Sequence, residues 1–398
     1  MIARKLTRED LPDANRISAF AFHARLEDPE KLNVIPEDDP SEQWGAFSED
    51  GVMAARIINN RFEGYLDGNP VKNGGIGSVS TLPEYREQGA VRAVFEKLLP
   101  EAYRQGEVFS TLYPFNHAFY RKFGYETVCV RNIYHFSPAV LRNYRFSGTA
   151  HPYREGDPVS DYFALYREFA ANYNFMLERD EKWMADRLKS VPLRDRRFAY
   201  LLSEGDVPKA YLIFQDIRHD PAAILKVQEL AWKDRAGFEM ILGFLGRFTA
   251  DYGEIQLPLP AGVELYSVLR SSLAYDVTKE TRQDFMVRII NAEKLLSAIR
   301  LPDCCSFVIQ VTDEMIPENN GCFRVKSRTG EENLSGNTVE RCEDQPDLAV
   351  SERALGQLAT GAVSLREALL RSDTVLTAKE ELLSRVFVRK DLFIEDHF

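Results

Sequence analysis

The segment from Val79 to Ala90 constrains the fold more than any other part of the chain. An apolar strand pattern from Ile76 to Leu82 ends at Pro83, whose ring removes a backbone donor, and an apolar pattern of helical period starts directly after Gly89. Backbone N–H groups that converge at a helix N-terminus bind phosphate groups, helped by the helix dipole. The segment therefore predicts a strand, a pyrophosphate-binding loop and a helix. A purely structural turn gives the same pattern, so both interpretations stay open at this point.

A second motif further along the chain favours the binding loop. A strand pattern from Val108 to Tyr113 precedes Tyr120, and Gly124 and the aromatic Tyr125 follow that tyrosine. Together the two motifs resemble the GNAT superfamily of N-acetyltransferases. The resemblance implies that the first loop binds the pyrophosphate of acetyl-coenzyme A and that Tyr120 lies near the thioester sulfur.

The same resemblance implies which residues bind acetyl-coenzyme A. The main chain at Val79 and Thr81 is expected to hold the pantetheine arm. Val91 departs from the superfamily pattern, where Gly or Ala is usual. Asn116 suits a contact with the coenzyme, and equally an N-cap of the following helix. The predicted set is Val79, Ser80, Thr81, Arg86, Glu87, Gln88, Gly89, Ala90, Phe115, Asn116 and Phe119.

The chain divides into three predicted domains, residues 1–150, 151–281 and 282–398. The first is interpreted as a catalytic GNAT domain, in which Asn73–Gly75 predicts a hairpin turn. The second repeats the strand, turn and helix order at Lys226–Gly237, but its turn is shorter and no tyrosine motif follows. We interpret it as a degenerate, non-catalytic GNAT-like domain, with an unrelated α/β domain as the alternative.

The third block resembles sterol-carrier-protein-like domains. A strand is predicted at Asp284–Ile290, and two later helices begin at the N-caps Ser351 and Ser364, the second with Glu367 in capping-box position. The three blocks together resemble the enhanced intracellular survival (Eis) acetyltransferases, which implies a homo-oligomer, a hexamer. The predicted fold class is therefore α/β (α+β): tandem GNAT folds followed by a sterol-carrier-protein-like α/β domain.

Acetyl transfer to an amine needs a base for the amine and an acid for the leaving thiolate. The resemblance implies that the C-terminal tail reaches the active site, with the α-carboxylate of Phe398 as base and Tyr120 as general acid. An α-carboxylate is ionised at neutral pH, and a phenol keeps its proton. His397 is the rival base because an imidazole titrates closer to neutrality. Glu395 and Asp396 are expected to select a cationic acceptor.

The expected acceptor is a primary amine of an aminoglycoside, a polyamine or a protein lysine. The predicted acceptor-binding residues are Phe22, His23, Trp44, Glu395 and His397, although the aromatic side chains suit a core equally well. The alternative function is a lipid-binding or scaffolding protein with a vestigial acyltransferase site.

Composition limits the partners. The 50 Lys and Arg residues against 61 Asp and Glu give a net charge of −11, which argues against nucleic acid and anionic membranes, although solubility alone explains it. No signal peptide and no apolar stretch of membrane-spanning length is visible, and the five cysteines include no C-x-x-C pair. The six histidines show no ligand spacing. We therefore expect a cytoplasmic enzyme without a metal.

Overall fold

The computed structural model describes residues 1–22, 41–190, 192–218, 223–270, 275–327 and 336–398. They form three sheets with helices packed against them, which confirms the predicted α/β fold class. Each sheet contains a parallel pair of strands among antiparallel neighbours. Among these described residues, no helix is long and apolar enough to cross a membrane.

The first part of the chain has strands around two long helices. Its strands are β1 (Ile2–Lys5), β2 (Glu42–Phe47), β3 (Met53–Leu66), β4 (Asn69–Thr81), β5 (Phe109–Leu112) and β6 (Glu126–Val128). Its helices are α1 (Leu11–Ala21), α2 (Ala90–Arg104) and α3 (His117–Arg121). The apolar side chains of α2 repeat with helical period and are buried, Val94 and Phe95 completely. Each such burial stabilises the fold by about 1.5–3 kcal/mol and fixes α2 against the sheet.

The second part repeats this alternation of strands and helices. Its strands are β7 (Arg131–Phe136), β8 (Thr149–Pro152), β9 (Arg197–Glu204), β10 (Val207–Arg218), β11 (Ala223–Trp232), β12 (Glu254–Pro260) and β13 (Val277–Thr281). Its helices are α4 (Ser160–Ala170), α5 (Glu181–Leu188), α6 (Pro192–Asp195) and α7 (Arg235–Leu245).

The third part is smaller. Its strands are β14 (Phe285–Ile289), β15 (Ser306–Thr312), β16 (Gly321–Lys326), β17 (Thr338–Cys342), β18 (Leu348–Ser351) and β19 (Thr374–Leu376). Its helices are α8 (Ala292–Ala298), α9 (Glu352–Thr360), α10 (Leu365–Ala368) and α11 (Glu380–Val386). Both predicted caps are confirmed: Ser351 Oγ accepts a hydrogen bond from Ala354 N at 3.1 Å, and Ser364 and Glu367 form the capping box.

The three sheets interlock rather than follow one another along the chain. The first sheet has the order β1-β2-β3-β4-β5-β14-β6, so a strand from the third part lies between β5 and β6. The second has the order β13-β7-β12-β11-β10-β9-β8, and the third β17-β16-β15-β18-β19. Strand β7 belongs to the second sheet although it precedes residue 150, and β14 belongs to the first sheet although it follows residue 281. The sheets therefore do not divide at the domain limits proposed from the sequence, and those limits remain a prediction.

Candidate functional site

The candidate site is an opening in the first sheet. Strands β4 and β5 pair in parallel from Asn73 to Ile76 of β4, and this pairing ends while β4 continues to Thr81. At Ser78 the backbone is left-handed, with φ 51°, and the β3 register shifts there, as expected for a β-bulge. Among the described residues, the main chain around Val79 therefore has no paired strand on its β5 side. A ligand can bind to its N–H and C=O groups there.

The loop after β4 leaves the N-terminus of α2 open. Glu87 and Gly89 both have left-handed backbones, with φ 62° and 79°, and such alternation turns successive N–H groups toward one point. Gly89 stands at the N-cap position and α2 has no side-chain cap. The positive end of a fifteen-residue helix is thus not covered by a side-chain cap, and the binding of an anion there remains a prediction.

This loop and opening enclose a cleft of about 800 Å³. Predicted coenzyme residues that line it are Val79, Ser80, Thr81, Arg86, Glu87, Gly89, Ala90, Phe115 and Phe119, and the predicted acceptor residue Phe22 lines it too. Sequence reasoning did not assign Ala21, Tyr85, Val91, Arg92, Lys122 and Phe123 to the cleft. Arg92 and Lys122 add positive charge to that of Arg86, which suits a ligand with several phosphates.

Two predicted coenzyme residues do other work in this structure. The Gln88 side chain donates to Glu84 O at 2.7 Å, and so it braces the loop. Asn116 Oδ1 accepts from Phe119 N at 3.0 Å, which makes Asn116 the N-cap of α3. Of the two readings of Asn116 that the sequence allowed, the N-cap is the one observed here.

Tyr120 is buried beside the cleft, with 3% of its surface exposed. Its ring packs at 5.3 Å from Phe115 and 5.2 Å from Phe119, two of the residues that line the cleft. Burial raises its pKa above the ordinary tyrosine value, so it is protonated at neutral pH. Among the described residues its hydroxyl has no hydrogen-bond partner, and it is not one of the fully buried polar atoms. A protonated hydroxyl without a partner is available to an incoming ligand.

The C-terminal residue lies on β4 beside this opening. A Cβ atom built on Gly77 would be 3.3 Å from the terminal carboxyl carbon of Phe398, and one built on Gly75 would be 2.7 Å from its ring. The predicted hairpin turn at Asn73–Gly75 is therefore wrong: these residues lie inside β4. The glycines serve to let the last residue approach the strand.

The preceding tail residues have different surroundings from those expected. Asp396 Oδ1 accepts from Arg179 at 2.8 Å, and Glu395 Oε1 accepts from Leu230 N at 2.9 Å. Burial raises the pKa of both carboxyl groups, that of Glu395 strongly. Both are buried, so neither offers a free surface charge to a ligand.

The ring of His397 contacts that of Tyr113, with centroids 4.7 Å apart and planes tilted by 38°, and the residue remains exposed. Desolvation, followed by the charge of Arg131, lowers its pKa to about 4. His397 lines a separate cavity of about 360 Å³ between β11, β12 and the tail. It is therefore neutral at neutral pH and only weakly basic.

The remaining predicted acceptor residues are scattered. Phe22 ends α1 and is 57% exposed, at the edge of the cleft. Trp44 lies in β2, not on a loop, and is buried in the core beside α2. His23 falls outside the residues that the structure describes.

A cavity of about 540 Å³ behind Phe398 was not foreseen. Phe62 forms part of its wall and contacts the rings of Trp183 at 5.4 Å and Phe398 at 5.2 Å. The acidic residues on its lining are Glu63, Glu107, Glu178 and Asp180. No local motif marks them, because they come from two different parts of the chain.

Comparisons with known proteins agree with this architecture. Residues 3–128 and 176–289 each match a family described as acetyltransferase (GNAT) domain, and residues 292–392 match one described as sterol carrier protein domain. A search of curated proteins finds no match.

Solved structures match over the whole chain. A GCN5-related N-acetyltransferase from Anabaena variabilis has a TM-score of 0.86 at 20% identity, with 100% of this chain and 99% of that one covered. A protein of unknown function from Enterococcus faecalis, a probable N-acyltransferase, has a TM-score of 0.84 at 18% identity, covering 100% and 99%. Eis1 from Mycobacterium abscessus has a TM-score of 0.79 at 18% identity, covering 100% of both chains. At these identities the likeness is one of fold.

The family matches, the open helix N-terminus and the cleft define the class: the chain is a GNAT acyltransferase with two GNAT domains. GNAT folds use acetyl-coenzyme A as cosubstrate. A sterol carrier protein domain follows the two GNAT domains. The fold of the whole chain is similar to that of Eis1 from Mycobacterium abscessus.

Proposed function

We propose that the protein transfers the acetyl group of acetyl-coenzyme A directly to a primary amine of an aminoglycoside, polyamine or lysine type. The observation that carries this proposal is the position of the Phe398 carboxyl group, which lies over Gly77 on the strand that borders the coenzyme cleft. A charged carboxylate next to the opening is the base that an amine acceptor needs. The resemblance to Eis-type enzymes supports the same role.

The residues of the first domain divide the remaining tasks. Arg86 and the N–H groups around Gly89 would hold the pyrophosphate, with Arg92 and Lys122 close by. Backbone N–H groups near Val79 would bind the thioester oxygen. When bound, acetyl-coenzyme A supplies an acetyl group on a sulfur leaving group.

Three proton transfers balance the reaction. An acceptor that binds as an ammonium gives one proton to the Phe398 carboxylate, which frees the lone pair of its nitrogen for attack. After the nitrogen forms the new C–N bond, it loses a second proton to solvent. Tyr120 gives one proton to the sulfur as the C–S bond breaks. Burial keeps Tyr120 protonated until that moment. His397 is the less suitable base because its lowered pKa, about 4, makes it a weak one and because it lines a different cavity.

The acceptor is expected beside Phe398. Glu395 and Asp396 are buried and bonded within the tail region, so selection by charge falls to the Phe398 carboxylate, which favours a cationic amine over an anionic acceptor. The cavity behind Phe398 carries charges of both signs, because Arg61, Lys72 and Arg179 line it beside the four acidic residues.

The test is thiol release from acetyl-coenzyme A with a panel of aminoglycosides, polyamines and lysine peptides. The intact chain is compared with one that ends at His397. Release that requires both an amine and Phe398 is the expected result. Release at the same rate without Phe398 would remove the carboxylate from the mechanism, and no release with any amine would oppose the proposed acceptor class.

The sterol carrier protein domain favours one second candidate, a lipid-binding or scaffolding role. Its helix α9 is buried against β14 of the first sheet, and Gln357 donates to Thr127 O at 2.7 Å, so this part is built into the acetyltransferase. Solvent extraction of purified protein followed by mass spectrometry tests the candidate. A lipid recovered at a one-to-one ratio would support lipid binding. A lipid-free protein would argue against lipid binding and would leave a scaffolding role as the remaining form of this candidate.

We also propose a cytoplasmic homo-oligomer, a hexamer, by resemblance to Eis-type enzymes. The five unpaired cysteines suit a reducing compartment. Light scattering tests the assembly, and a monomer would contradict it.

A further inference from the structure

The second GNAT domain has an opening like that of the first. Strands β11 and β12 pair in parallel only from Ile224 to Lys226 of β11, after which the pairing ends. The register between β10 and β11 shifts at Gln228, as it does on β4. The N–H of Leu230, just beyond this irregularity, corresponds in place to the main chain around Val79.

The tail of the chain occupies this second opening. Leu230 N donates to Glu395 Oε1 at 2.9 Å on the β11 side, and Ala261 N, next to the end of β12, donates to Leu392 O at 3.1 Å. The ring of Phe393 packs at 6.1 Å from Phe169 of α4. Three separate parts of the second domain thus hold the tail at Leu392, Phe393 and Glu395.

A buried ion-pair network adds charge recognition. Arg179 is fully buried and donates to Glu229 Oε1 and to Asp396 Oδ1, both at 2.8 Å. Arg187 adds a second cation on Glu229. Glu229 holds Arg179 through two hydrogen bonds and pairs with Arg187 as well, so without Asp396 one buried carboxylate would face two guanidinium groups. The tail carboxylate therefore balances the charge of this network.

Residues of both sheets hold the main chain of the tail: Tyr113, directly after β5 of the first sheet, and Arg131, the first residue of β7 in the second. Tyr113 OH donates to Asp396 O at 2.5 Å, and Arg131 donates to Ile394 O at 3.2 Å. Phe398 then reaches Gly75 and Gly77. The tail crosses from the second opening to the first with its residues 392–396 almost completely buried.

We propose that the second GNAT domain is a peptide-binding site whose ligand is the chain's own C-terminal segment, residues 392–398. The site recognises an apolar side chain at 393, a carboxyl group at 395 and a carboxylate at 396. Arg179 is a positioning residue: it holds the segment in the register that delivers the Phe398 carboxylate to β4. The binding stands independently of the reaction, while its effect on turnover rests on the proposed function.

The experiment supplies the segment as a separate molecule. A chain that ends at Asp391 is mixed with a fluorescent peptide of residues 392–398, and anisotropy is recorded. We expect saturable binding, competed by unlabelled peptide, and restored acetyl transfer. A peptide with Asp396→Asn should bind at least about tenfold more weakly because Arg179 loses its carboxylate. His397→Ala is the matched control and should lose much less, since that side chain is exposed.

A peptide with an amidated C-terminus separates binding from chemistry. It should bind without restoring turnover. Binding and restored turnover with the amide would contradict the base role of Phe398 but support the binding site. A folded truncated chain that binds no peptide, or that binds the Asp396→Asn peptide equally well, would overturn the proposal.

If the truncated chain does not fold, the full chain with Asp396→Asn provides the test. Carboxypeptidase should then release Phe398 faster than from the unaltered chain, and kcat should fall with an unchanged KM for acetyl-coenzyme A. Equal release rates in the folded variant would overturn the proposal.

Discussion

Helices α2 and α7 occupy corresponding positions in the two GNAT domains, but their N-termini differ in capping. Gly89 leaves the first helix without a side-chain cap. In the second, Asp234 Oδ1 accepts from Gly237 N at 2.9 Å, and Lys209 donates to Asp234 Oδ2 at 2.9 Å. The hydrogen bond from Lys209 and then that from Gly237 lower the pKa of Asp234, so the cap is a carboxylate. One helix is free for an external anion, whereas the other already holds an anion of its own.

The openings beside these helices differ in the same way. Next to β4 the cleft of about 800 Å³ is free for a coenzyme, while next to β11 the opening holds the chain's own tail. If both proposals hold, two domains of the same fold class serve two different ligands. A longer loop ending in glycine keeps a phosphate site open, and a short turn with an aspartate closes it and leaves the sheet opening for a peptide.

The largest effect on turnover is expected from a side chain added on β4 where the ring of Phe398 now lies. In Gly75→Val the new side chain occupies the place of the Phe398 ring, because even a Cβ would lie 2.7 Å from it. Displacement of the terminal carboxylate should reduce kcat by about a thousandfold, the range of a lost general base. Steady-state thiol release measures this, with KM for acetyl-coenzyme A unchanged.

Gly356→Ala in α9 is the matched glycine control, since its added Cβ would meet nothing closer than 3.5 Å. It should leave kcat unaltered. A folded Gly75→Val enzyme with full kcat would mean that the position of Phe398 has no part in turnover.

Two carboxyl groups near the starts of β5 and β12 should respond oppositely to pH. Burial raises the pKa of Glu107 from 4.5 to about 7. Burial alone would raise that of Glu254, but hydrogen bonds from His135 and then Gln256 lower it. Glu107 therefore contributes stability below about pH 4.5 that is lost as pH rises toward 7, whereas Glu254 contributes stability that is lost as pH falls.

Unfolding midpoints of Glu107→Gln and Glu254→Gln across pH test this contrast. Glutamine keeps the contact with Asn59 and carries no charge, so Glu107→Gln should gain up to about 3 kcal/mol over the unaltered chain at about pH 8. It should gain nothing at about pH 4. Glu254→Gln should show a small loss above about pH 5, because that group is exposed. Parallel pH profiles for the two variants would contradict the assignment.

Features that depend on neighbouring residues could be predicted from the sequence. The loop at Gly89, the apolar face of α2 and, in the third part of the chain, the caps at Ser351 and Ser364 each depend on residues within one turn or helix. Their outcome in the structure follows from helix geometry and needs no distant partner.

Long-range contacts could not be predicted in the same way. Gly74 and Gly75 suggest a turn until their neighbours are known: Glu107 and Asn59 lie beside Gly74, and Phe398, from the other end of the chain, lies beside Gly75. Arg179 carries no motif and becomes significant only through its bond to Asp396. The insertion of β14 between β5 and β6 depends on pairing between segments far apart in the chain, which periodicity within a segment does not encode.

Two buried tyrosines of the first domain separate chemistry from stability. Tyr120→Phe removes a hydroxyl that has no partner among the described residues, so stability should change little while kcat falls by about a hundredfold. Tyr125→Phe instead breaks a buried hydrogen bond of 2.8 Å with Ser110. It should cost about 1 kcal/mol of stability and leave kcat unchanged. Rates and unfolding midpoints of both variants are compared, and unaltered turnover in Tyr120→Phe would exclude it as the acid.

The smallest expected changes in stability and coenzyme affinity come from single substitutions at the N-termini of α2 and α7. Gly89→Ala places a side chain where φ is 79°, which costs about 1–2 kcal/mol of backbone strain although space is available around it. Because the strained loop is the predicted phosphate site, coenzyme affinity should fall in parallel. Asp234→Ala removes a cap and should cost about 1 kcal/mol of stability with no change in coenzyme affinity. Calorimetric titration with coenzyme A and thermal unfolding measure the two quantities. A loss of coenzyme affinity in Asp234→Ala would indicate that the coenzyme binds at the start of α7. An unchanged affinity in Gly89→Ala would contradict the assignment of the phosphate site to the start of α2.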